Sequence, residues 1–225
     1  MKNKVLVVAV HPDDETLGCG GTLLKHKALG DEVYWLLLTG TPINMPEEQM
    51  DEAVRFRKTL IQTISESYHF DGVEYLALPP ARMHTLDMKE VIGKISEVFN
   101  RIHPNIIYTM FANDVHSDHR IAFDAVYSCT KSFRYPFIEH IYMMETLSET
   151  EFALSVPEKT FIPNVYVVIT DFIKEKLAIM EKYPKQIMEA PYPRSLSSIE
   201  ALARVRGSRA GVMYAESFQL LFEKK

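Results

Sequence analysis

The sequence predicts an α/β protein, a Rossmann-like three-layer sandwich built on a mostly parallel sheet. Three features point to it. Short apolar runs rich in Val, Ile and Leu alternate with longer stretches whose apolar residues recur at helical spacing. The apolar runs are unbroken, as strands must be when helices cover both faces of a sheet. No internal repeat, low-complexity tract or Gly/Ser linker interrupts the 225 residues, so 1–225 reads as a single domain.

Each element has its own signature. KVLVVAV at 4–10 reads as a buried strand, and GGTLLKHKALG at 20–30 as a helix closed by Gly30. EVYWLLLT at 32–39 is a second strand. From Pro46 to Ser67 charged and apolar residues recur with helical period. GVEYLALP at 72–79 is a strand stopped by Pro79 and Pro80. In MKEVIGKISEVFNRI at 88–102, Val91, Ile95, Val98, Phe99 and Ile102 share one helix face. NIIYTMF at 105–111 is a strand, and Ser117 reads as the N-cap of a helix over 117–133. VYVVIT at 165–170 is a strand, followed by a helix over 171–183. Residues 134–163, with Pro136, Pro157 and Pro163, are less regular and read as a hairpin excursion or a lid.

Composition removes several classes of function. Charged residues make up 24%, the formal net charge is -5, and no Lys/Arg block stands out. That balance lacks the footprint of a nucleic-acid partner or a polybasic membrane patch. The N-terminal apolar run is six residues long, too short for a signal-peptide core or a bilayer span, so no membrane insertion is expected. Cys19 and Cys129 lie far apart with no CxxC, and read as reduced thiols of a cytoplasmic protein.

Two polar clusters remain, each directly after an apolar strand. AVHPDDETLGCGG at 9–21 stacks Asp13, Asp14 and Glu15 after a His-Pro pair; NDVHSDH at 113–119 follows the fourth strand. Ligands of open α/β sheets collect at the carboxyl ends of strands, so the clusters face each other if those strands are neighbours. A phosphate loop is disfavoured: GxGxxG is not satisfied, no GK[ST] follows, and three carboxylates repel a pyrophosphate. The glycines instead give the following helix room to approach the strand. A plain helix start accounts for one acid, at about 0.3–1 kcal/mol, but not for three acids or for His11. A metal site accounts for more. His11 and Asp14 sit three apart across a stiff Pro12, and His116 and His119 are three apart at a loop-helix junction. Imidazole mixed with carboxylate suits zinc or a similar first-row ion, and a catalytic zinc usually takes three protein ligands. The other histidines read as structural. His103 terminates a helix, His26 lies on a surface, and His69, His84 and His140 stand in irregular segments without acidic partners.

AVHPDDETLGCGGTL resembles the AHPDDE signature of the LmbE-like (PIG-L-type) zinc-dependent N-deacetylases. TMFANDVHSDHR resembles the family's second motif, and residues 192–218 its C-terminal region. The resemblance implies a hydrolase that removes the N-acetyl group of an N-acetylglucosamine-type sugar or conjugate. By motif position, it implies Zn2+ or another first-row divalent ion on His11, Asp14 and His119. Asp13 would be the general base. His116 would act as acid or oxyanion stabiliser, in protonated form, oriented by Asp118. Glu15 and Asp114 would support these residues from behind. Arg55 stands where the family tends to place a substrate-binding Arg, with Arg57 as a competing candidate. Tyr192 and Arg194 belong either to the site or to a structural turn. Ser117 replaces a Pro common in the family. The expected partner is a small N-acetylated sugar or conjugate, and homo-oligomer formation is open to such a chain. Two rival readings are a catalytically silent metal-binding protein of the same fold and a nucleotide-binding module.

Overall fold

A computed structural model describes residues 2–41 and 46–225. Seven strands form one sheet: β1 (Lys4–Ala9), β2 (Glu32–Thr39), β3 (Gly72–Leu78), β4 (Ile106–Thr109), β5 (His140–Met144), β6 (Val165–Val168) and β7 (Ala215–Glu223). Their order is β3-β2-β1-β4-β5-β7-β6. β3, β2, β1, β4 and β5 pair in parallel, whereas β7 runs antiparallel to both β5 and β6. The expected mostly parallel α/β sheet is therefore present, with an antiparallel intruder near one edge.

Six helices are among the described residues: α1 (Asp14–Ala28), α2 (Glu47–Tyr68), α3 (Met88–Ile102), α4 (Ser117–Ser128), α5 (Ile173–Met180) and α6 (Leu196–Ala210). α1 packs on α2 and α5, α5 on α6, and α3 on α4, giving two helix layers with the sheet between them. None of the helices is long and apolar enough to cross a membrane. The central strands β1 and β2 are almost wholly buried, which explains their unbroken apolar runs. On α3, the five residues expected to share a face are its five buried ones, and Asp87 caps the helix through Lys89 N.

Several boundaries differ from expectation. α4 stops at Ser128, and its N-cap is His116, whose ring accepts from Asp118 N; Ser117 is the first helical residue. The irregular stretch 134–163 hides β5, whose short run follows a loop rich in turn residues. β7 and α6 close the fold without a strong sequence signal. β7 is buried only over its first half, and α6 has a weak apolar stripe. His26 is not a surface residue: Nδ1 lies 2.7 Å from Asp31 Oδ2 and Nε2 3.0 Å from the Tyr108 hydroxyl. His140 does have an acidic partner, Glu223, at 3.6 Å, because β7 pairs with β5. His103 ends α3 in a left-handed conformation, as expected of a terminator.

The glycine-rich stretch has a specific task. α1 begins at Asp14, six residues earlier than expected, and breaks its helical geometry at Cys19. The break frees backbone N–H groups at the restart. Glu216 on β7 accepts from Gly21 N (2.9 Å), Thr22 N (2.7 Å) and the Thr22 hydroxyl (2.6 Å). Lys176 on α5 donates to the same carboxylate at 2.7 Å and to Leu17 O at 3.0 Å. A Cβ on Gly21 would lie 2.8 Å from the Ile169 side chain, so only glycine admits this approach. Breaking a buried ion pair by removing one partner costs about 3–5 kcal/mol. Glu216→Gln is therefore expected to lower the stability by that order, read as a lower urea midpoint at unchanged slope.

Candidate metal centre

The chain leaves β1 through a tight turn, and the turn is closed by Asp14. Its Oδ2 accepts from Val10 N at 3.0 Å and His11 N at 2.8 Å, so the first acid of α1 reaches back onto the strand end. The same oxygen lies 3.8 Å from His11 Nδ1 and 3.4 Å from His119 Nε2. His119 comes from α4, which follows β4, and β4 is the parallel neighbour of β1. The two polar clusters thus meet where the strand order reverses, between β1 and β4.

His11, Asp14 and His119 each offer a ligand atom within 4.8 Å of the others, and so do His11, His116 and Asp118. The two sets differ in their hydrogen bonding. In the second, His116 Nδ1 already accepts from Asp118 N at 3.1 Å, and the Asp118 carboxylate accepts from Ala81 N (2.5 Å) and Met83 N (3.2 Å). In the first, His119 Nε2 is a buried atom with no partner among the described residues. Its Nδ1 faces Asp114 Oδ2 at 2.9 Å, so a proton on Nδ1 leaves the lone pair on Nε2 for a ligand. Such a carboxylate-imidazole pair behind a ligand is the usual support of a metal-bound His. The set His11, Asp14 and His119 fits a first-row divalent ion.

The electrostatics agree. Burial opposes a charge on His119, yet Asp14 and Asp114 outweigh it and raise the imidazole well above its ordinary range. Burial alone would raise Asp14, but His119 and His11 hold its carboxyl well below the usual range. The surroundings call for positive charge where these groups converge.

The three neighbouring acids have three environments. Asp13 is buried and raised well above the ordinary carboxylate range, by burial and then by Asp14 and Glu15, with Arg194 opposing. Its Oδ2 lies 3.6 Å from Arg194 Nη1, and its backbone sits at φ 138°, ψ -26°. A non-glycine residue there stores about 1–3 kcal/mol of strain, which the surrounding hydrogen bonds must offset. Glu15 is fully buried, and among the described residues it makes no hydrogen bond to a candidate ligand side chain. It accepts from Asp13 N, Thr16 Oγ1 and the Tyr183 hydroxyl, and burial pushes it up to about 7.

Two expectations need correction. His116 is pushed down to about 4 by burial and by His11 and His119, so the ring is neutral. Its Nδ1 is an acceptor, which leaves Nε2–H as its donor. What orients the ring is the Asp118 backbone N–H. The Asp118 carboxylate instead anchors the loop after β3 and lies 3.8 Å from His11 Nε2. The cause is helix capping, which sets the N-cap side chain against a backbone N–H two residues on. The second correction concerns Arg55, which is exposed on α2. Arg57 lies on the inward stripe with Ile61, Ile64 and Tyr68, at helical spacing, and lines the cavity over the candidate ligands.

That cavity holds about 250 Å³. Its walls include His11, Asp13, His116, Arg57, Glu149 and Arg194. Arg194 therefore lines this cavity from within a turn. Glu149 escaped sequence reading because it sits in the irregular segment, where no periodicity marks it. Thr150 beside it escaped for the same reason. Its hydroxyl donates to Asp114 Oδ1 at 2.7 Å and accepts from Thr146 N at 2.9 Å. A relay of hydrogen bonds thus runs from Thr146 through Thr150 and Asp114 to His119.

A model of the family described as GlcNAc-PI de-N-acetylase (PIG-L) matches residues 6–130. The chain is 24% identical to the diacetylchitobiose deacetylase of Thermococcus kodakarensis, over 97% of this chain and 83% of that protein. The N,N'-diacetylchitobiose deacetylase structure from Pyrococcus horikoshii superposes with TM-score 0.77 at 19% identity, covering 97% of this chain and 84% of that one. GalB, the 4-carboxy-2-hydroxymuconate hydratase of Pseudomonas putida KT2440, superposes with TM-score 0.78 at 17% identity, covering 100% and 98%. At these identities the two superpositions establish a shared fold.

Loss of support behind a metal-bound His typically weakens metal binding by about 10–100-fold. Thr150→Val is expected to weaken zinc binding by about tenfold or more, and Thr150→Ser to restore it. Competition against a chromophoric chelator measures both.

Proposed function

The chain belongs to the GlcNAc-PI de-N-acetylase (PIG-L) family, and we propose that it is a zinc-dependent N-deacetylase. Its substrate is an N-acetylglucosamine-type sugar or sugar conjugate, hydrolysed to acetate and a free amine. The observation that carries this reading is the buried His119 Nε2, without a partner among the described residues, facing Asp14 and His11, while His11, Asp13 and Asp14 line one cavity.

Zinc, or another first-row divalent ion, held by His11, Asp14 and His119 would polarise the acetyl carbonyl and acidify the attacking water to a pKa of about 7. The chain's own residues do the rest. Asp13, raised by burial, takes the proton from water as that oxygen attacks the carbonyl carbon. Neutral His116 donates through Nε2–H to the carbonyl oxygen as it gains charge. The C–N bond then breaks, acetate keeps the water oxygen, and the amine takes the proton from Asp13. Arg194 holds Asp13 in place, and Arg57 offers N–H donors to the sugar.

The hydratase likeness rests on fold alone, and hydration of an unsaturated acid releases no acetate. Acetate release from N-acetylated sugars by zinc-loaded protein therefore tests the reading, and no release from any of them would refute it. Asp13→Ala is expected to keep zinc stoichiometry and lower kcat by about 10²–10⁴. His11→Ala and Asp14→Ala are expected to lose the metal, checked by elemental analysis; full zinc content in either would overturn the ligand set. Arg57→Ala is expected to lower kcat/KM, while Arg55→Ala stays close to the unaltered protein.

A further inference from the structure

The metal cavity does not end at Arg57. A second cavity of about 240 Å³ adjoins it, and Pro12, Arg57 and Gln186 line both. Small-molecule sites usually span about 300–1,000 Å³. Each of these cavities is smaller than that, and only the two together fall inside the range. Their walls differ in chemistry. The first is lined by the acids and histidines of the metal centre. The second is walled mainly by Pro12, Phe56, Leu60, Tyr183 and Pro184. Phe56 is 40% exposed, although it is large and apolar. The Lys185 ammonium lies 4.8 Å over its ring at the outer end.

Arg57 stands at the junction. Burial lowers its affinity for a proton, and its Nη1 is a buried donor without a partner among the described residues. An orphaned buried donor costs free energy that a ligand acceptor would recover. A ligand oxygen lying between the two cavities would supply that acceptor.

We propose that the second cavity is the aglycone site of the enzyme, and that the substrate is a glycoside carrying an apolar, ring-sized group. The N-acetylated sugar lies in the metal cavity with its acetyl group toward His11, Asp14 and His119. The oxygen linking sugar to aglycone accepts from Arg57, and the aglycone packs between Phe56, Leu60 and Tyr183. This assignment rests on the deacetylase reading and narrows its substrate from any acetylated amino sugar to an apolar glycoside.

The test compares N-acetylglucosamine with phenyl N-acetyl-β-D-glucosaminide on zinc-loaded protein. Burying an aromatic ring is expected to raise kcat/KM by about tenfold or more. Phe56→Ala is expected to bring the ratio between the two substrates toward one. Calorimetry on the same protein should show the phenyl glycoside binding more tightly than the free sugar by a similar factor. Equal kcat/KM for the two substrates, with acetate released from both, would overturn the aglycone site and leave the deacetylase reading standing. If neither substrate releases acetate, calorimetry alone decides the cavity, equal affinities overturning it.

Discussion

Three backbone pairs, Val5 with Ile106, Leu6 with Ile107 and Val7 with Tyr108, hold β1 beside β4. Every candidate ligand depends on that pairing. Asp14 and His11 leave the end of β1, while His119 follows β4 by way of a capped helix start. Strand order reverses here, so the helices that follow the two strands depart to opposite faces and leave a crevice between them. Both strands are buried, so the crevice has a floor that cannot shift without disturbing the core. Contacts made over more than a hundred residues of sequence are thereby fixed as firmly as neighbours in one turn.

The acids that crowd this crevice are tolerated because each has different company. Asp14 is held by two backbone N–H groups and two imidazoles. Glu15 is answered by hydroxyls and one backbone N–H, in a pocket that lets it hold its proton. Asp13 has the Arg194 guanidinium and a strained backbone, and faces the open cavity. Stacking like charges costs energy, and the chain offsets it locally rather than with one shared counterion. That division gives neighbouring carboxylates separate chemical tasks.

Support reaches the crevice from β7 and from the irregular segment 134–163. Glu216, from the antiparallel β7, caps the restart of α1 beyond its break at Cys19 and holds the Lys176 ammonium. On the opposite side, Thr150 ties the irregular segment to Asp114 and so to His119. The same segment places Glu149 on the cavity wall. A stretch without regular structure thus serves both the metal centre and the shape of the site.

Local signals in the sequence determined much of this. Uninterrupted apolar runs marked β1, β2 and β4, because strands buried on both faces are filled mainly by apolar side chains. The five-residue stripe of α3 marked its inner face, because helical period is a local property. The two clusters, with His11, Asp13, Asp14, His116 and His119, were legible because their spacing lies within single turns. Other features arise only when distant segments meet. β5 and β7 support each other by antiparallel pairing, and neither carries enough pattern alone. Arg57 rather than Arg55 faces the cavity, a choice made by the direction in which α2 packs and not by residue type. His116 is neutral because burial and two nearby imidazoles outweigh the Asp118 charge, and sequence does not report burial of a single ring. Sequence determined which groups were available for chemistry. The tertiary structure decided their partners, and with them their protonation and their orientation, because both are set by groups that lie close in space and far apart along the chain.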